Sequence, residues 1–127
     1  MQDQPAPAEI LAAVARFLKE DVAPATTGHT SFQVRVAANA LEMVRRQLDL
    51  APMAEAAEHA RLVALLGTKG DLLALNAELA LRIAAGEMDL ATPGLADHLW
   101  ATTLAKLAVD QPTYAAYRAE AAGRGAG

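Results

Sequence analysis

Apolar side chains recur at intervals of three and four residues along almost the whole chain, the spacing that lines one face of an α-helix. The first run is Ile10, Leu11, Val14, Phe17, Leu18 and Val22, introduced by Pro5 and Pro7 and closed at Ala23 and Pro24. A proline is tolerated in a first turn because the N–H it lacks has no partner there. Glu9, Arg16, Lys19 and Glu20 take the opposite face. Residues 25–30 contain Gly28 and predict a loop, with Thr30 or Ser31 placed to cap the next helix.

From Phe32 to Val36 apolar and polar residues alternate with period two, a strand signal when taken alone. Continued to Leu50, the pattern becomes helical. Phe32, Val34, Val36, Ala37, Ala40, Leu41, Met43, Val44 and Leu48 fill one broad arc, and Arg35, Asn39, Glu42, Arg45, Arg46 and Asp49 fill the other. This predicts an unbroken helix from Ser31 to Leu50, placed centrally and covered on two sides because its apolar arc is wide.

Pro52 is expected to open a third helix, with Met53, Ala56, Ala60, Val63 and Leu66 inward, ending at the Gly67-Thr68-Lys69-Gly70 loop. Asp71 starts a fourth, striped by Leu72, Leu75, Asn76, Leu79 and Ile83, with Gly86 where a left-handed cap is usual. Thr92 and Pro93 introduce a fifth with Ala96, Leu99, Trp100, Thr103, Leu104 and Leu107 inward, stopping before Pro112. A short sixth carries Tyr114 and Tyr117. The fold class expected is all-α: a single-domain bundle of five to six helices without β-sheet, the domain spanning residues 1–122 and residues 123–127 forming a flexible glycine-rich tail.

Composition changes the expected core. The chain is 54% hydrophobic but only 4% aromatic. Its interior must therefore be built from Leu, Val, Ile and small residues, with bulk concentrated at a few positions. Phe17, Leu41, Val44, Leu79, Trp100 and Leu104 are the residues expected to be buried together.

Charge and residue usage narrow the chemistry. A net charge of -4 disfavours nucleic acid and anionic membranes as partners, since both demand clustered Lys and Arg. Without cysteine there is no disulfide or thiolate site, and the opening residues have neither the basic start of a leader nor an uninterrupted apolar span. The cytoplasm is the expected location. His29, His59 and His98 lack di-iron or zinc spacing, so no metal or other cofactor is expected. Glu55 and His59 read as a solvated helix pair, and His98 as a residue of a surface helix.

Gly67-Thr68-Lys69-Gly70 lacks the order and the preceding strand of a phosphate loop and reads as an interhelical turn. Ser31, the only serine, lies outside any nucleophile turn, and Glu20-Asp21 reads as a solvated helix end. No catalytic residue is assigned. The candidate binding residues are Arg35, Asn39 and Arg46. Arg35 and Asn39 stand one turn apart and could hold a carboxylate or phosphate by charge-assisted hydrogen bonds. The plainer reading is a solvated face on which Glu42 pairs with Arg45 or Arg46.

The phrases Phe32-Gln-Val-Arg-Val-Ala-Ala-Asn-Ala-Leu41 and Lys106-Leu-Ala-Val-Asp-Gln-Pro112, with the opening helix from Pro7 to Pro24, resemble a bacterial family of uncharacterised small helical proteins. Members of that family tend to be encoded beside aminoglycoside-phosphotransferase-like kinases and acyl-CoA dehydrogenases. The resemblance implies an accessory role in acyl-CoA metabolism and carries over no functional residues. Two readings follow. One is an interaction protein that binds a kinase, a dehydrogenase or its own copies. The other is a small enzyme or binder of an anionic ligand, acyl-CoA or a nucleotide, using the Arg35 and Asn39 face.

Overall fold

The computed structural model describes residues 4–125, and every regular element in them is helical. Five α-helices follow one another: α1 (Pro7–Phe17), α2 (Gly28–Leu66), α3 (Leu72–Ala84), α4 (Leu95–Asp110) and α5 (Ala115–Gly125). The all-α expectation holds, with no strand among the described residues, and Phe32 to Val36 is helical despite its alternation.

The main departure is at Pro52, which lies inside α2 instead of opening a separate helix. The expected second and third helices are one. Around Pro52 the chain reads Leu50-Ala51-Pro52-Met53-Ala54, with no glycine to turn it and no side chain that caps. Breaking the helix there would orphan several backbone groups on each side, whereas continuing through the proline forfeits one hydrogen bond and strains one turn. The chain nevertheless divides into two compact units at that place, residues 1–51 and residues 52–127.

In the first unit, Pro7 stands at the start of α1 and the Glu9 carboxylate accepts the Ala6 N–H at 2.7 Å. The helix then widens into a π-turn over Leu18–Val22, closed by the Ala23 N–H donating to the Leu18 carbonyl at 2.9 Å. Ser31 caps nothing. It lies within α2, which begins earlier than expected at Gly28, and its Oγ donates back to the Ala23 carbonyl at 3.1 Å. The buried residues of this unit are alanines: Ala15, Ala23 and Ala38. Small residues on both helices permit a close approach but remove little apolar area from water.

The second unit has the larger core. Leu62 and Leu66 of α2, Leu75 and Leu79 of α3, Met88, and Leu95 of α4 form one buried cluster, with Val63, Leu65 and Leu72 against it. Asp71 caps α3, accepting the Ala74 N–H at 2.8 Å, and Gly86 takes the expected left-handed conformation beyond its end. Gly94, with φ +85°, is the residue before α4. Thr92 therefore serves the preceding turn, accepting the Asp89 N–H at 3.0 Å. Helix α5 extends to Gly125, into the segment read as a tail.

The expected core is largely corrected. Only Leu79 is buried; Leu41 and Leu104 are half-buried, while Phe17, Val44 and Trp100 are exposed. Trp100 lies at the helix surface with its Nε1 donating to Glu120 Oε1 at 3.2 Å. Periodicity locates an apolar face but not which part of it a neighbour covers, and the alanine-built first unit covers little.

Candidate functional site

Two groupings carry polar chemistry, one in each unit. In the first, Arg35, Asn39 and Arg46 all lie on α2, Arg35 and Asn39 exposed and Arg46 half-buried. Their neighbour Arg45 takes the carboxylates. Its Nε and a terminal nitrogen donate to Glu42 Oε2 at 3.2 and 3.1 Å, and its other terminal nitrogen reaches Asp49 Oδ2 at 2.9 Å. Such partly exposed pairs contribute about 0–1 kcal/mol each.

Asn39 and Arg46 share their stripe with large apolar side chains. Phe32, Val36, Asn39, Met43, Arg46 and Leu50 are spaced alternately four and three residues apart, which keeps them on one line along the helix. The apolar members are open to solvent: Phe32 is 64% exposed, Val36 50%, Met43 40% and Leu50 42%. Val34, Ala38, Leu41 and Arg45, on the other side of the helix, are buried or half-buried. Among the described residues of the first unit the wide apolar arc is therefore covered on one side only, and the expected second layer over α2 is absent there.

The second unit contains a polar cluster on three helices. Glu58 and Arg61 come from α2, Asn76 from α3, and His98 and Thr102 from α4. Asn76 donates to Glu58 Oε1 at 2.8 Å and to the Leu72 carbonyl at 3.0 Å. Arg61 donates to Thr102 Oγ1 at 3.3 Å. His98 is 2% exposed, a correction to its placement on a surface face. Its Nδ1 and the Arg61 Nε are buried without a hydrogen-bond partner. Burial lowers the His98 pKa below 6.5, the positive Arg61 lowers it further, and the Glu58 carboxylate opposes them. Burial and the Arg61 charge thus both favour the neutral form of the imidazole.

His59 is not a partner of Glu55: its Nε2 is 2.8 Å from the Gly70 carbonyl, so the ring ties α2 to the loop before α3. No three His, Cys, Asp or Glu among the described residues gather where they could hold a metal ion. No described helix is long and apolar enough to cross a membrane.

The sequence brought Arg35, Asn39 and Arg46 forward, and all three do lie on one helix segment. It missed Glu58, Arg61 and His98 because their association depends on how three helices pack. The one signal was Asn76, a polar residue within the apolar stripe of α3; a half-buried amide needs partners, and Glu58 is one.

A family model described as a domain of unknown function, DUF6285, matches residues 24–114, and the chain belongs to that family. The matched region contains all of α2, α3 and α4, hence both groupings. No curated protein and no solved structure gives a match.

Proposed function

We propose that this member of a family of unknown function is an association module, binding protein through the open stripe of α2. The observation that supports this is the exposure of Phe32, Val36 and Met43 along a single line of helix surface. Isolated exposed apolar residues are ordinary, but a contiguous row of them, interrupted by Asn39 and Arg46, has the composition of an interface: apolar and aromatic contact area with amide and guanidinium groups that set orientation. Arg35 and Asn39 suit this role better than capture of acyl-CoA or a nucleotide, because Arg35 at the flank of the stripe and Asn39 within it are both exposed on an open helix surface, where a small ligand would stay largely in water. An accessory role beside a phosphotransferase-like kinase or an acyl-CoA dehydrogenase in the cytoplasm fits the same surface.

The test is the native size of the protein in extracts of its source cell, for wild type and for the double variant V36E/M43E. Wild type should elute well above its chain mass of 13.3 kDa, and the variant should shift to the single-chain position. Elution of wild type as a single chain, or no shift in the variant, contradicts the reading.

A further inference from the structure

The first unit is poorly closed by its own residues. Its 51 residues are near the size at which a single core is marginal, and the buried ones contribute only methyl groups. Along the stripe Phe32, Val36, Met43 and Leu50 stay 64, 50, 40 and 42% exposed, apolar area that association would remove from water. Charge favours meeting at this unit: residues 1–51 carry five Lys and Arg against six Asp and Glu, while residues 52–127 carry six against nine. Two first units can approach with little net repulsion.

We infer that the stripe is closed by a second copy of the chain, the two α2 helices packing antiparallel along Phe32, Val36, Asn39, Met43, Arg46 and Leu50. This rests on the stripe being an association surface and names its occupant. The alternate four and three spacing is the seam of a two-helix coiled contact. The polar members decide its direction. A parallel pair in register sets Arg46 against Arg46 of the second copy. An antiparallel pair centred between Asn39 and Met43 separates these charges, placing Phe32 opposite Leu50, Val36 opposite Arg46 and Asn39 opposite Met43. Each pairing then occurs twice, as two-fold symmetry demands. The Arg46 stem covers Val36 while its guanidinium reaches the seam edge. Beside the seam, Arg35 of each copy comes level with Gln47 of the other and within two residues of its Asp49, a carboxylate that accepts from Arg45 and has room for a second donor.

Sedimentation equilibrium of the purified protein tests both occupant and direction. Wild type should have twice its chain mass at micromolar concentration. V36E/M43E should retain its helical circular dichroism and dissociate more readily by on the order of 30-fold or more, the loss expected at an interface hot spot. R35E should weaken the dimer, and R35E/D49R should restore it. A monomeric wild type overturns the inference; if native complexes in extract still depend on Val36 and Met43, the association reading survives with another partner. A dimer indifferent to V36E/M43E, or one that R35E/D49R fails to restore, also overturns it.

Discussion

Arg61 on α2 donates to the Thr102 hydroxyl on α4 at 3.3 Å, one helical turn from the buried ring of His98. That contact fixes a positive charge near an imidazole whose protonation is already opposed by burial, with Glu58 pulling the other way.

Acid should therefore destabilise the protein through His98. Its folded pKa lies below the unfolded value of 6.5, so the unfolded chain binds the proton more readily. The stability held by the neutral ring is complete above that pH and is lost as the pH falls below it toward the folded value. Urea midpoints should decline from pH 7 to pH 5, and H98L should decline less steeply. Equal slopes for the two proteins would show that other groups govern the response.

The core is sharply localised on α3. Leu75 is 1% exposed and Leu73, two residues earlier, is 82% exposed. L75A should cost about 2–5 kcal/mol in chemical denaturation, the range for deleting a buried leucine. L73A should remain within about 0.5 kcal/mol of wild type, as surface changes do.

Pro52 inside α2 leaves a backbone carbonyl of the preceding turn without its helical donor. P52A should raise stability by about 1–3 kcal/mol, less than the full helix-interior penalty because proline also restricts the unfolded chain. A loss of stability would mean that the structure at the unit boundary requires the proline.

How much of this was legible in the sequence follows from what each signal measures. Periodicity and caps report local backbone preference, so α1, α3 with its Asp71 cap, α4 and the left-handed Gly86 could all be read in advance. The fusion of two expected helices at Pro52 could not, because a proline marks a first turn or an interior strain depending on what the flanking residues supply. Core membership was the weakest inference. Phe17, Val44 and Trp100 have the bulk expected of core residues, yet burial depends on what packs over them, and the alanines of the first unit do not provide that cover. Arg35, Asn39 and Arg46 were visible as a stripe, but the 4-3 row joining Asn39 and Arg46 to Phe32, Val36, Met43 and Leu50 gained meaning only when those apolar residues proved exposed. The Glu58, Arg61, Asn76 and His98 cluster depends on three helices and had no local signature beyond Asn76.

The central claim is that the open stripe of α2 is covered in the assembled protein, and carbene footprinting of purified wild type over a dilution series measures that cover directly. Phe32, Val36 and Met43 should be protected at high protein concentration and gain label together as the protein is diluted. Leu73, an exposed residue of the second unit, serves as the reference and should label equally throughout. Strong labelling of the stripe that stays constant at every concentration would contradict the account and leave α2 with a solvated apolar face.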